Sequence, residues 1–214
     1  MDKRAAGEDA FKKAQRLWLA SSILQQSLRA GSPSARSWEE QLKPLDREVS
    51  DVANAAGTDD AFILAVLSSI PKEALSRGVF PEEALKDRFV QVADSARKVA
   101  FIDEKGGSLL RYGFAYIMNM LVLRKHEIVP NEELKERPVD VESLSPFEVI
   151  DRARACMDKG DLLQAVQYLN LLNGAAGEVA KDWLKETILT LETKQAADAM
   201  LGYATALGTH GHPG

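Results

Sequence analysis

The chain has 214 residues, 45% of them hydrophobic and 28% charged, a composition that can bury a sizeable core and does not suggest overall disorder. Its 32 acidic against 27 basic residues leave a net charge of −5, which argues against a nucleic-acid binder working through a general basic surface. The single cysteine, Cys156, excludes an internal disulfide framework and any multi-cysteine metal site.

Helical periodicity dominates, and no run of alternating β-branched residues seeds a sheet, so the fold class is all-α. The opening MDKRAAGEDAF has neither a secretory apolar core nor an acid-free, Arg-rich transit pattern. No window of about 20 apolar residues follows, so any targeting signal or anchor is expected outside this chain. A first helix spans residues 9–29, with Phe11, Leu17, Trp18, Ile23 and Leu24 apolar, and GSPSARS breaks it. After a polar linker, Pro44 opens a helix that stops at Gly57. Thr58 is the expected cap of the next one, DDAFILAVLSSI, and Pro71 opens a short KEALSR turn that Gly78 ends. From 81 to 104, Leu85, Phe89, Val92, Ala96 and Val99 recur at helical spacing and place one face against other helices.

Residues 109–123, reading LLRYGFAYIMNMLVL, come next, and VPNEELKERPVDVESL after them reads as a loop or linker. Ser145-Pro146-Phe147-Glu148 combines an N-cap, a proline at the first helical position and a capping-box glutamate. That helix carries Val149, Ile150, Ala153 and Met157 to Gly160, where Asp161 caps another with Leu163, Val166, Leu169 and Leu172. The last helix is expected over 177–207, with Ala180, Leu184, Ile188 and Leu191 apolar, followed by a short tail. Trp18, Trp38 and Trp183 read as core side chains, with interface anchoring as the alternative.

Catalytic inventory is thin. His126, His210 and His212 are the only histidines, two of them in the Gly-rich tail, so a Ser or Cys nucleophile has few available bases. Cys156 sits on a helix as a small core residue. Pairs such as Glu82-Glu83 and Glu132-Glu133 fall at helix starts or in loops, where they favour the helix dipole or solubility. No catalysis, metal or cofactor is expected.

The segment 109–123 is apolar almost all the way round. About 15 residues make a helix of about 22 Å, shorter than the ~30 Å hydrocarbon layer, so it is a poor membrane span. Pattern alone favours the central helix of a bundle. Three details favour a helix lying in the membrane interface instead. Tyr112 and Tyr116 share a face with hydroxyls that need polar surroundings. The polar line, from Arg111 through Asn119 to His126, is narrow. Lys105, Arg111, Arg124 and Lys125 make a local positive region that attracts anionic headgroups at about 1 kcal/mol per charge. A further candidate is GDLLQAVQYLNLL, which with the helix before it resembles a tetratricopeptide-type hairpin, although no repeat of 34 residues follows.

Several strings taken in order resemble the C-terminal region of the mitofilin family, the large subunits of the mitochondrial contact site and cristae organising system. They are QRLWLASSIL from Gln15, IPKEALSRGVFPEEALKDRF from Ile70, ARKVAFIDE from Ala96, SLLRYGFAYIMNML from Ser108, GDLLQAVQYLNLLNG from Gly160 and VAKDWLKETILTLETKQA from Val179. The resemblance covers residues 11–208 and implies a C-terminal fragment of a longer protein.

It further implies a non-enzymatic scaffold at the mitochondrial inner membrane, on its intermembrane-space side, that shapes crista junctions. On this basis 1–30 ends a coiled-coil region, 31–80 is linker with short helices, and 209–214 is a tail. Residues 81–104 and 145–208 form a bundle of antiparallel helices that binds a CHCH-domain subunit and self-associates. Between them, 105–137 is the lipid-binding part, and the residues expected to meet lipid are Lys105, Leu109, Leu110, Arg111, Tyr112, Phe114, Tyr116, Ile117, Met120, Leu121, Arg124 and Lys125. Exposed apolar residues of the last two hairpins are the place expected to meet the CHCH partner. The rival reading, from a different class, is a soluble helical adaptor with 109–123 as internal core.

Overall fold

A computed structural model describes residues 2–32, 35, 37–100 and 144–210, and among them every regular element is helical, in agreement with the all-α expectation. They fall into two compact units. One contains the residues up to Ala84 and those from Leu189 onward, and the other is drawn from Leu85–Ile188.

In the first unit, α1 (Asp2–Ala30) buries Ala14, Leu17, Ser21, Leu24 and Leu28 along one stripe. It starts about two turns earlier than the apolar pattern indicates, because Ala5 and Ala6 favour helix strongly enough to carry the backbone through Gly7. The stripe packs on α2 (Asp46–Ala56), which presents Val52 and Ala56 and also touches α3 (Ala61–Ser69) and α4 (Lys72–Arg77). The cap of α3 is Asp60 rather than Thr58. Its carboxylate accepts the Ile63 backbone N–H at 3.3 Å, while the Thr58 hydroxyl donates to neighbouring Asp59.

The second unit takes most of α5 (Glu82–Val99) together with α6 (Pro146–Asp158), α7 (Leu162–Leu169) and the first half of α8 (Gly174–His210). The α5 face is Leu85, Phe89, Ala93 and Ala96, with Ala93 fully buried where Val92 is only half-buried. Ser145 caps α6 with both bonds of a capping box. The Glu148 N–H donates to the Ser145 hydroxyl, and the Ser145 N–H donates to the Glu148 carboxylate at 2.8 Å. The Ser145 N–H, and after it the Ser145 hydroxyl, which also donates to the carboxylate at 2.8 Å, hold the Glu148 carboxyl below its usual range.

Helix α8 contributes its first half to one core and its second half to the other. It outruns the expected limits by a turn at the start and three residues at the end. Its buried stripe also differs in phase from the apolar line of the sequence: Ala180, Trp183, Thr187, Thr190, Thr193, Ala197 and Met200 are buried, whereas Ile188 is 40% exposed. Threonines can occupy such a stripe because each hydroxyl is satisfied. Thr187 donates to the Trp183 carbonyl and Thr193 to the Leu189 carbonyl, both at 2.7 Å, and Thr190 donates to the Phe80 carbonyl at 3.1 Å. Trp183, the largest fully buried side chain, donates its indole N–H to the Leu85 carbonyl at 2.8 Å and meets Phe89 edge-on with centroids 5.3 Å apart.

Two local features of the first unit generate predictions. Gly57 and Gly78 both close helices with positive φ, 75° and 88°. A Cβ on Gly57 meets nothing within 4 Å, whereas one on Gly78 would lie 2.1 Å from the Lys43 carbonyl oxygen. Gly57→Ala should therefore cost only the strain of its positive-φ, extended-ψ backbone, about 1–3 kcal/mol, and Gly78→Ala at least about 2 kcal/mol more because backbone must move. Equal losses for the two variants in chemical denaturation would contradict the close approach.

Glu48 is buried where α1, the linker and α2 meet. Burial pushes its carboxyl up, but the Lys43 ammonium at 2.5 Å, its own N–H and the Ser27 hydroxyl at 3.0 Å together hold it below the usual glutamate range. A carboxyl lowered on folding contributes stability that is present above its unfolded pKa and lost as pH falls through the folded one. Thermal melts from neutral pH downward should show Glu48→Gln less stable than the parent near neutrality, with the gap closing on the acid side. A gap that stayed constant to below about pH 3 would disprove the ionised role.

Candidate functional site

The residues expected to meet lipid, Lys105, Leu109, Leu110, Arg111, Tyr112, Phe114, Tyr116, Ile117, Met120, Leu121, Arg124 and Lys125, lie outside the described residues. The helices on either side of them are described, and both belong to the second unit. Helix α5 ends in a basic last turn with Arg97 and Lys98, and α6 begins at the Ser145 capping box. Between them run two reciprocal ion pairs: Arg97 with Asp151, and Arg154 with Asp94 at 3.1 Å.

On each helix the acid precedes the base by three residues, so the two pairs match only when the helices run antiparallel. That order fixes the register and brings the end of α5 and the start of α6 to the same end of the pair. The Arg97 side chain is only 14% exposed, so its pairing is partly desolvated and loss of Asp151 leaves a poorly solvated guanidinium.

Within the second unit the large exposed apolar residues are Val90, Leu163 and Ile188. Leu163 on α7 and Ile188 on α8 belong to the hairpins expected to meet a protein partner. Cys156 is buried, as expected for a core residue. Burial, then the neighbouring Asp161 charge, pushes its thiol up to about 11, so it carries no thiolate at neutral pH.

The first unit holds a cleft of about 410 Å³ lined by residues that include Lys13, Asp60, Phe62, Tyr203 and Leu207. The Phe62 and Tyr203 rings lie 4.5 Å apart, and the Tyr203 hydroxyl is raised by burial and then by the charge and hydrogen bond of Asp60. Asp60 is thus engaged twice, by Tyr203 and by the α3 N-terminus, which suits a structural role better than proton transfer.

Sequence reasoning missed a set of exposed residues on α1. Trp18, Leu19 and Ile23 are 48%, 56% and 46% exposed, Leu19 and Ile23 opposite the buried stripe and Trp18 on its flank. The phase set by Leu17, Leu24 and Leu28 was the available signal, since it turns positions 19 and 23 outward. Among the described residues no group of His, Cys, Asp or Glu is placed to hold a metal ion, and no helix is long and apolar enough to cross a membrane.

Comparison with known proteins places these features in a family. Residues 1–205 match the model of Mitofilin, described as a mitochondrial inner membrane protein. The MICOS complex subunit Mic60 of Drosophila melanogaster is 40% identical over 206 residues, covering 96% of this chain and 28% of that protein. The subunit mic60 of Sclerotinia sclerotiorum is 31% identical over 156 residues, 73% of this chain and 22% of its own length. MIC60 of Paracoccidioides brasiliensis is 30% identical over 158 residues, 74% of this chain and 21% of its own. The chain spans about a quarter of the length of these curated relatives. No solved structure matches. On the family match and the similarity to Mic60 along nearly its whole length, this chain belongs to the mitofilin family of mitochondrial inner membrane proteins.

Proposed function

We propose that this chain is a non-enzymatic scaffold module that binds and bends the mitochondrial inner membrane at crista junctions, from the intermembrane-space side. The observation that carries the reading is the placement of 109–123. An apolar run too short to span a bilayer, with basic flanks, lies between two helices zipped by Arg97–Asp151 and Arg154–Asp94, in a family of inner membrane proteins. The helix inserts shallowly, its flanks Lys105, Arg111, Arg124 and Lys125 hold anionic phospholipid such as cardiolipin, and the widened leaflet favours curvature.

The bundle of α5 to α8 serves as the protein-binding half. It recruits a CHCH-domain subunit of the same complex and associates with further copies of the chain, with Leu163 and Ile188 as the exposed apolar contacts. No nucleic acid and no cofactor enter this reading. The competing reading, a soluble helical adaptor, draws on the packed α6–α7 hairpin and treats 109–123 as internal core.

Liposome co-sedimentation separates the two. Reversing Arg111, Arg124 and Lys125 should lower partitioning onto anionic vesicles by at least about a hundredfold at low salt, at ~1 kcal/mol per charge, and Asp at Phe114 and Ile117 should weaken it without lowering the melting temperature. Unchanged lipid binding by folded variants would sink the membrane reading, and unfolding by the Asp changes would favour the core one.

A further inference from the structure

The cleft of about 410 Å³ in the first unit is lined partly by residues 59–62, where α3 begins, and partly by Lys13 of α1 and Tyr203 and Leu207 of α8. Its size falls in the range of small-ligand sites. Two opposite charges line it without neutralising each other, since neither Lys13 nor Asp59 forms an ion pair among the described residues. Asp59 is exposed and accepts the hydroxyl of adjacent Thr58. The α3 N-terminus does not need it, because Asp60 is the cap. Lys13 is half-buried beside the core stripe of α1, where its ammonium loses part of its hydration with no described carboxylate in return.

The same lining holds an aromatic pair. Phe62 and Tyr203 lie 4.5 Å apart at 33°, and Phe62 remains 43% exposed. The Tyr203 hydroxyl is taken up by its hydrogen bond to Asp60, so what Tyr203 offers an incoming group is its ring. Aromatic faces beside an acid attract an ammonium, and a methylated one most readily because it sheds water at little cost. Lys13 repels a simple cation from this cleft, and Asp59 repels a simple anion. A ligand that carries both charges meets both groups. Phosphate matches Lys13, because a compact ammonium binds it as a point charge. A phosphodiester joined to an ammonium through a short carbon chain holds its charges farther apart than an amino acid does, as suits two protein groups that do not reach each other.

We propose that this cleft binds a phosphodiester bearing an ammonium group, of the phosphocholine type, with the methylated ammonium against Phe62, Tyr203 and Asp59 and the phosphate on Lys13. The ligand is either the free glycerophosphodiester or the headgroup of a zwitterionic phospholipid. Neither 109–123 nor its basic flanks enter the argument, so this site and the membrane reading above can each fail without the other.

Saturation-transfer NMR on the whole chain, with glycerophosphocholine as the probe, tests it. The choline methyl protons should take up saturation from the protein and move upfield in the ring currents of Phe62 and Tyr203, with half-saturation in the millimolar range expected of a small open site. Asp59→Asn and Lys13→Gln should each raise that concentration by about fivefold at low salt, the scale of one exposed charge contact. Phe62→Leu should remove the upfield movement with helix content unchanged. Lys12→Gln, one residue away and outside the cleft lining, should leave binding as it is. Choline and inorganic phosphate, offered singly, should each bind more weakly than the diester. The chain with Arg111, Arg124 and Lys125 reversed should bind the probe as the parent does.

Vesicles of phosphatidylcholine that displace the probe would support the site with a lipid headgroup as its ligand, and probe binding that vesicles leave untouched would support it with the free diester. Methyl groups that take up no saturation would overturn the site. Binding by choline alone as tight as by the diester would overturn the paired-charge recognition, as would equal losses from Lys12→Gln and Lys13→Gln. Loss of probe binding in the chain with the reversed segment would overturn it as a separate site.

Discussion

The hydroxyls of Thr187, Thr190 and Thr193 must all be satisfied before the longest helix among the described residues can be buried, since a buried hydroxyl left alone costs about 1–3 kcal/mol. Two are satisfied within α8 itself, by bonds to the carbonyls four residues back. The third reaches the Phe80 carbonyl. That oxygen is available because Pro81 keeps Phe80 extended and outside any helix. Five positions further along the chain, the Leu85 carbonyl accepts the Trp183 indole N–H. Helix α8 is thus tied to the stretch from Phe80 to Leu85 by Thr190 and the Lys194–Glu82 ion pair in the first unit and by Trp183 in the second. Small or self-satisfied residues on the stripe let other helices approach closely, which a line of Leu and Ile would not allow.

The same economy appears at the site. Charged residues that are usually solvated on a helix surface are used between α5 and α6 to set direction and register, because Asp94 and Arg97 match Asp151 and Arg154 in one orientation only. A chain leaving α5 and returning through the Ser145 cap therefore departs and re-enters at one end of the pair. In the proposed membrane role, contact with headgroups would then be passed to a rigid stem and not to a free tether.

Much of the fold was legible from residues that act locally. The Ser145 capping box, the stop at Gly78 and the spacing of Leu85, Phe89 and Ala96 depend on a few neighbours and appear as read. Features that depend on distant partners were not legible. Thr58 and Asp60 are both good caps, and the choice was made by the Ile63 N–H and the Tyr203 hydroxyl converging on Asp60. The phase of α8 depends on Phe80 and Leu85, about a hundred residues earlier, so an apolar count selected Ile188 where the core takes Thr187 and Thr190. Gly177 reads as the start of the last helix, yet α8 begins at Gly174, and at 177 only glycine fits because a Cβ there would lie 2.6 Å from the Leu172 carbonyl oxygen. The outward face of α1 was hidden for the converse reason: Trp18 and Ile23 are apolar, and composition does not say which side of a helix is covered.

The central claim is that the chain meets a membrane through residues 105–137. Hydrogen exchange followed peptide by peptide, on the whole chain with and without anionic vesicles, tests it most directly. The account predicts that amides of 109–123 become markedly slower to exchange when vesicles are added, while those of α8 around Thr187 to Met200, already buried in protein, do not change. Exchange in 109–123 that is equally slow with and without lipid would contradict it and assign the segment to the core of a soluble adaptor.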